Sequence, residues 1–277
     1  MSRTTRVDGH IVVRTDQVPA EPARLVDDFT PALIDVGAHH LCPGCGEPVA
    51  MRATLEAVAE LDVVRRTIGV FGIGCYTAFS NNLDVEVLQA LHGRAPSVAT
   101  GVKRARPDTI VFTIQGDGDM VNEGLQEVIH SAARGENVTC IMLNNGVFGE
   151  TGGHMTATTV LGQRTKTSLE GRDPVAHGRP ILLATLLAQL DGAAYVARGA
   201  VNNAGNVART KKMLLQALRT QIAGAGFSFV EILTMCPTGW FVETQDAPAY
   251  LADNLAAVHT GGVLKDVLGD SDRQEGP

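Results

Sequence analysis

The stretch Thr109–Gly118, TIVFTIQGDG, carries the pattern that decides the fold of this chain. Its first six residues are apolar or β-branched without interruption, which is typical of a strand buried on both faces of a parallel sheet. The run stops at Gly116, and residues 122–134 have the spacing of a helix. A buried strand that leads into a helix is the repeating unit of α/β folds, so we predict that class.

The same alternation continues on both sides of this stretch. Further apolar runs predict strands over residues 66–71, 138–143, 194–198 and 227–233. Helical spacing predicts helices over residues 48–61, 181–190 and 206–223. We therefore predict a parallel sheet flanked by helices, with ligands bound at the carboxyl ends of its strands.

The chain is predicted to hold one folded domain between two less regular ends. Residues 1–35 are polar and interrupted by three prolines, which indicates an extended N-terminal arm. Residues 36–260 contain every predicted strand and helix and form the domain. Residues 261–277 end in charged and small side chains, and we expect a flexible tail there.

Composition excludes several classes of protein. The 277 residues are 44% hydrophobic and 19% charged, which supports a large core and argues against disorder or a disulfide scaffold. A net charge of −7 gives no general attraction for nucleic acid. No apolar run approaches the roughly 20 residues that span a bilayer, and the N-terminus lacks the features of a secretory signal. We expect a cytoplasmic protein that binds neither nucleic acid nor membranes.

Polar residues follow two of the predicted strands where each strand ends. Gly116-Asp117-Gly118-Asp119 closes one strand, and a pair of asparagines ending in Asn145 closes the next. Parallel neighbours bring these ends together, and carboxylate and amide oxygens suit Mg²⁺, which prefers to share its shell with phosphates. Glycines admit a diphosphate, and the following helix directs free N–H groups at it. Each motif alone is more often a simple turn, but together they predict a Mg²⁺-diphosphate site.

Four of the five cysteines lie in segments that follow or precede the predicted elements. Cys42 and Cys45 form a C-x₂-C pair, while Cys75 and Cys236 follow the strands over 66–71 and 227–233. Four thiolates suit either tetrahedral zinc or a [4Fe–4S] cluster, and an unmetallated redox pair or unrelated buried thiols are the alternatives. Cys140 lies inside an apolar strand and is expected to be a small buried hydrophobe.

The glycine, aspartate and asparagine motifs resemble the diphosphate-binding signature of thiamine diphosphate enzymes. More broadly, the chain resembles the β subunits of 2-oxoacid:ferredoxin oxidoreductases through six strings in this order: CPGCGE (42–47), GIGC (72–75), HGRAPSVATGVKR (92–104), QGDGD (115–119), NNGVFGETGGHMTATT (144–159) and CPTGW (236–240). The likeness is strongest to the 2-oxoisovalerate branch, with the 2-oxoglutarate branch close behind. It implies the thiamine diphosphate-binding, pyrophosphate-module form of the predicted fold.

The resemblance also implies the residues that hold each cofactor. The implied ligands of a [4Fe–4S] cluster are Cys42, Cys45, Cys75 and Cys236. The implied ligands of Mg²⁺ are Asp117, Asn145 and the carbonyl of Val147. The residues implied to contact thiamine diphosphate are Glu47, Cys75, Gly116, Asp117, Gly118, Asp119, Asn145, Val147, Phe148, Gly149 and Glu150. The glutamate that activates the cofactor is expected from a separate α subunit, so no catalytic residue is assigned to this chain.

The implied activity is oxidative decarboxylation of a 2-oxo acid to acyl-CoA and CO₂, with electrons passing through the cluster to ferredoxin. The family loop after Asn145 usually has methionine where this chain has Glu150. A carboxylate there would repel a second carboxylate on the substrate, which favours a branched-chain 2-oxo acid over 2-oxoglutarate. Further γ and δ subunits are left open. The alternatives are a 2-oxoglutarate-specific enzyme, a non-redox thiamine diphosphate decarboxylase subunit and a non-catalytic metal-binding scaffold.

Overall fold

The computed structural model describes residues 5–7, 10–12, 40–80 and 82–269. The chain divides into two units, Met1–Pro31 and Ala32–Pro277. In the first unit, strands β1 (Thr5–Val7) and β2 (His10–Val12) pair antiparallel. Most of the predicted N-terminal arm, residues 1–35, lies outside the described residues.

A seven-stranded sheet forms the centre of the second unit. Its strands are β3 (Thr67–Phe71), β4 (Glu86–Gln89), β5 (Ile110–Gly116), β6 (Thr139–Asn144), β9 (Ala193–Ala200), β10 (Phe227–Leu233) and β11 (Gly262–Asp266). A separate two-stranded ribbon consists of β7 (Val147–Phe148) and β8 (His154–Met155). The sheet order is β11-β9-β10-β6-β5-β3-β4, and all pairs are parallel except β11 with β9. The five predicted strands and the predicted α/β class are confirmed.

Helices cover both faces of the sheet. Their bounds are α1 (Glu47–Glu60), α2 (Ala95–Ala105), α3 (Leu125–Ala133), α4 (Leu183–Ala188), α5 (Ala204–Ile222), α6 (Pro237–Trp240), α7 (Ala247–Tyr250) and α8 (Ala256–Val258). Shorter 3₁₀ turns span Val64–Arg66, Cys75–Phe79 and Thr244–Asp246, and π turns span Gly118–Glu123 and Leu251–Leu255. None of the described helices combines the length and apolar character of a membrane span.

Alternate strand residues supply two hydrophobic cores, one on each face. Phe112 and Ile114 of β5 pack in the core that includes buried residues of α1 and α5. Val111 of the same strand faces the core that includes α2, α3 and α4. Cys140 is fully buried in this second core, as predicted. Burial on both faces explains why these strands have no alternation of apolar and polar residues.

The predicted tail over residues 261–277 is wrong in its first part. Residues 262–266 form strand β11, which pairs antiparallel with β9 and lies at one edge of the sheet. Lys265 Nζ donates to the carbonyl of Leu190 at 2.7 Å, which ties the strand to the turn after α4. A five-residue edge strand containing Lys265 and Asp266 lacks the continuous apolar run of the central strands, so the pattern did not indicate it.

One buried side chain joins two central strands of the sheet at their amino-terminal ends. Gln221 of α5 accepts from the backbone N–H of Val111 at 2.7 Å and donates to its carbonyl at 2.8 Å. It also donates to Thr139 Oγ1 at 2.8 Å. The glutamine amide therefore joins β5 and β6 where their pairing begins.

We predict that Gln221→Leu lowers the free energy of unfolding by about 2 kcal/mol, because two buried backbone groups lose a partner while the volume is kept. Denaturant unfolding followed by circular dichroism measures this loss. Lys212→Gln, on the exposed side of the same helix, is the matched control and should change stability by less than about 0.5 kcal/mol. Equal stability of the two variants would contradict the role of Gln221.

Candidate functional site

A cleft opens where the carboxyl ends of the central strands meet. It is lined by Glu47, Ile73, Gly74, Cys75, Tyr76, His92, Gly116, Asp117, Gly118, Asp119, Asn145, Val147, Phe148, Gly149, Glu150 and Thr151. Every residue that the sequence implied as a thiamine diphosphate contact is among them. The structure therefore brings these residues together, and their individual roles stay predictions.

The buried carboxylate of Asp117 lies at the end of β5, within this cleft. Its Oδ2 accepts from the hydroxyl of Thr156 at 2.6 Å and from that of Thr158, while its Oδ1 accepts from the backbone N–H of Asn145 at 3.3 Å. Burial raises the pKa of Asp117, and the two hydroxyl bonds oppose that shift. The threonines occupy Oδ2, whereas Oδ1 accepts only the longer bond from the Asn145 backbone, so Oδ1 is the oxygen that can face a cation. The side-chain Oδ1 of Asn145 accepts from Val147 N at 3.0 Å.

The cleft is strongly acidic. Glu47, Asp117, Asp119 and Glu150 line it, and its lining residues include neither lysine nor arginine. Burial, followed by the charges of Asp117 and Glu150, raises the pKa of Glu47 to about 8. Among the described residues, Glu47 Oε2 is buried with no hydrogen-bond partner. A buried carboxyl oxygen without a hydrogen-bond partner, among three other carboxyl groups, fits a site that binds a cation and a polar cofactor.

Asp119 has a different environment from Asp117. Its Oδ1 accepts from Gly93 N at 2.8 Å and lies 3.0 Å from His92 Nδ1. Its Oδ2 accepts from Gln115 at 2.8 Å and from the Tyr76 hydroxyl at 3.1 Å. Two of these contacts hold the loop around residue 92, and the four together occupy both oxygens, so Asp119 lines the cleft without a free oxygen directed at a cation.

The four predicted cluster cysteines gather beside the cleft. Burial, followed by the charges of Glu47, Cys42 and Asp117, raises the pKa of Cys236 to about 12. Burial also raises the pKa of the Cys45 and Cys75 thiols, with Cys236 adding to both shifts. Thiolates in such surroundings need a cationic partner. All five cysteines are free thiols.

No three of the four cysteine sulfurs, all of which lie in the described part of the chain, are within 4.8 Å of one another. Among the described residues, the only cysteine, histidine and carboxylate groups that converge within 4.8 Å in sets of three or more are His92, Asp119 and Glu123. Zinc bonds of 2.3 Å would bring thiolates to about 3.8 Å from one another.

Three contributors to this site carried no signal on their own in the sequence. Thr156 and Thr158 were part of a matching string, but nothing in that string indicated that their hydroxyls bind Asp117. Trp240 donates from Nε1 to the carbonyl of Asn145 at 2.7 Å and packs on Tyr250 with ring centroids 4.7 Å apart. Each contact joins residues distant in the chain, which local patterns do not reveal.

The family model for thiamine pyrophosphate enzymes, C-terminal TPP binding domain, matches residues 72–232. The chain is 36% identical to ketoisovalerate oxidoreductase subunit VorA of Methanothermobacter thermautotrophicus, over 79% of this chain and 46% of the relative. It is 35% identical to 2-oxoglutarate synthase subunit KorB of Archaeoglobus fulgidus, over 77% of this chain and 75% of the relative. The chain thus spans about half the length of the ketoisovalerate relative.

A solved 2-oxoglutarate:ferredoxin oxidoreductase from Magnetococcus marinus shares the fold, with a TM-score of 0.72, 24% identity and coverage of 92% of this chain and 94% of that one. Fold, cleft and relatives agree on one class. The chain belongs to the thiamine pyrophosphate enzymes, in the family of 2-oxoacid:ferredoxin oxidoreductase β subunits, which confirms the resemblance found in its motifs.

The bond between Thr158 and Asp117 can be tested by a double-mutant cycle. We predict that Thr158→Val lowers the free energy of unfolding by about 2 kcal/mol, because a buried carboxylate loses a charge-assisted hydrogen bond. In an Asp117→Asn background the same substitution should cost clearly less. Denaturant unfolding of the metal-free protein measures both costs, with exposed Thr151→Val as the control. Equal costs in the two backgrounds would show that the bond contributes nothing.

Proposed function

We propose that this chain is the β subunit of an enzyme that oxidatively decarboxylates a 2-oxo acid to acyl-CoA and CO₂ and reduces ferredoxin. One observation carries the proposal. A Cβ on Gly149 would lie 3.5 Å from the sulfurs of both Cys75 and Cys236 and 4.0 Å from Asn145 Nδ2. Gly149 alone thus separates the cysteine sulfurs from the end of the cleft that is predicted to bind the diphosphate. This separation is short enough for electron transfer between cofactors bound on its two sides.

The residues of the cleft fit thiamine diphosphate and Mg²⁺. Asp117, Asn145 and the carbonyl of Val147 would hold the cation, whose charge offsets the acidic lining. Gly118 leaves room for the Phe148 ring, which a Cβ at position 118 would strike. Glu47 would contact the cofactor through Oε2, the oxygen that has no hydrogen-bond partner. When bound, thiamine diphosphate supplies the carbon nucleophile that makes decarboxylation of a 2-oxo acid feasible.

A [4Fe–4S] cluster on Cys42, Cys45, Cys75 and Cys236 would supply the one-electron carrier. Gly149 and Gly239 keep side chains away from the Cys236 sulfur. The free thiols suit a reducing, cytoplasmic compartment. An α subunit would complete the site, as the subunit names of the relatives suggest. Coenzyme A and ferredoxin, which the names of a relative and of the solved structure print, would be the acyl and electron acceptors.

We propose a branched-chain 2-oxo acid such as 2-oxoisovalerate as the substrate. The identities to the ketoisovalerate and 2-oxoglutarate relatives, 36% and 35%, do not separate the two. The exposed Glu150 at the rim of the cleft favours a substrate with a single carboxylate, because a second one would meet a like charge.

The redox role predicts the metal content of the anaerobically purified complex with the α subunit. We expect about four irons and four acid-labile sulfides per β chain, if the partner carries none, and loss of both in Cys236→Ser. Cys140→Ser, in the core, is the matched control and should retain them. Zinc, or no metal in a folded complex, would contradict the redox role and favour a non-redox thiamine diphosphate decarboxylase.

The role of Glu150 predicts a change in substrate preference. We expect Glu150→Gln and Glu150→Met to raise kcat/KM for 2-oxoglutarate relative to 2-oxoisovalerate about tenfold, because a like charge near the substrate is removed. Viologen reduction by the assembled enzyme measures both rates. Thr151→Val, at the same rim, should leave the ratio unchanged, and an unchanged ratio in both Glu150 variants would sink the hypothesis.

A further inference from the structure

Three ionisable side chains lie buried behind the cleft. Arg198 of β9, Glu231 of β10 and His259, which follows α8, expose 3%, 0% and 1% of their side chains. Arg198 Nε donates to Glu231 Oε2 at 2.7 Å, and His259 Nδ1 lies 3.3 Å from Glu231 Oε1. Burying three ionisable groups costs free energy, and proteins with apolar residues of similar size in such places are often equally stable. Stability alone therefore does not account for these three residues.

One end of this set contacts the turn that carries Asn145, and the other end contacts the loop whose hydroxyl groups bind Asp117. Glu231 Oε1 accepts from Asn144 Nδ2 at 2.7 Å, and Asn144 Oδ1 accepts from Gly146 N at 3.0 Å, so these bonds bracket Asn145. On the other side, His259 Nε2 lies 3.0 Å from the carbonyl oxygen of Thr158. The hydroxyl of that threonine donates to Asp117.

Each ring nitrogen of His259 faces a polar group. Nε2 faces the carbonyl oxygen of Thr158, which only accepts, so Nε2 is the donor there, and Nδ1 faces a carboxylate. Burial raises the pKa of Glu231, but the hydrogen bonds and charges of its partners outweigh it and lower that pKa to about 2. Glu231 therefore stays a carboxylate inside the protein.

We propose that Arg198, Glu231 and His259 form a positioning relay for the cation and diphosphate site, an inference that rests on the proposed function. None of the three lines the cleft. They act by holding the Asn144–Gly146 turn and the Thr156–Thr159 loop at a set separation, and hence Asn145 against Asp117. Arg198 Nη1 also donates to the carbonyl of Thr260 at 2.9 Å, which anchors the segment that carries His259.

Two substitutions at His259 separate the two arms of the relay. The amide of glutamine reaches the place of Nε2, so His259→Gln keeps the donation to Thr158 and loses the contact with Glu231. The shorter asparagine places its amide near Nδ1, so His259→Asn does the reverse. Gln221→Leu is the matched control. It weakens the same sheet at the amino-terminal ends of its strands, and Gln221 does not line the cleft.

The first measurement is calorimetric titration of the assembled protein with thiamine diphosphate at several Mg²⁺ concentrations. We expect His259→Asn to weaken Mg²⁺-dependent binding about tenfold or more, as loss of support behind a metal ligand does. His259→Gln should weaken it less, and Gln221→Leu should bind within about twofold of the unsubstituted protein. Binding by His259→Asn that matches the unsubstituted protein, or equal weakening by Gln221→Leu, would overturn the relay.

The second measurement needs no cofactor. Hydrogen exchange of the backbone amides in Thr156–Thr159 should speed up in His259→Asn by more than in Gln221→Leu, whose effect is limited to the loss of global stability. If the unsubstituted protein failed to bind thiamine diphosphate, the proposed function would fall and the exchange rates would decide the relay by themselves. Unchanged exchange in His259→Asn would overturn the relay even if the cofactor binds.

Discussion

The buried carboxylate of Asp117 is the constraint on which the rest of the site depends. A carboxylate at the end of a parallel strand, away from water, has to be paired, and two threonine hydroxyls meet one of its oxygens. Those threonines lie in a loop that must itself be held, which His259 does from behind through the Thr158 carbonyl. The other oxygen stays at the cleft beside Asn145 in acidic surroundings, where a divalent cation is the natural partner.

Much of the fold followed from the sequence because its central strands are buried on both faces. Their apolar runs are long enough to predict without tertiary information, and motifs at their ends had to share one edge of the sheet. The edge strands β4 and β11 lack such runs, so they went unpredicted and part of the sheet was taken for a tail. The contacts that position Asp117 join residues 39 and 41 positions apart, and His259 reaches Thr158 across 101 positions. Only packing brings such partners together.

The loop around Gly149 gives the cleft two chemistries at once. On one side lie the oxygens suited to a cation and a diphosphate, and on the other lie the sulfurs of Cys75 and Cys236. A larger side chain at position 149 would project onto those sulfurs. The same loop carries Glu150 at its exposed end, so in the proposed function cofactor binding, electron transfer and substrate choice would all involve three consecutive residues, Phe148 to Glu150.

The most direct test of the account is crystallography of the protein with thiamine diphosphate and Mn²⁺ in place of Mg²⁺. Anomalous scattering locates the ion without assuming its ligands. The account predicts one strong peak between Asp117 and Asn145, at metal-oxygen distances of about 2.2 Å, with the diphosphate beside it. A peak at His92, Asp119 and Glu123 instead, or a bound diphosphate with no ion at Asp117, would contradict it.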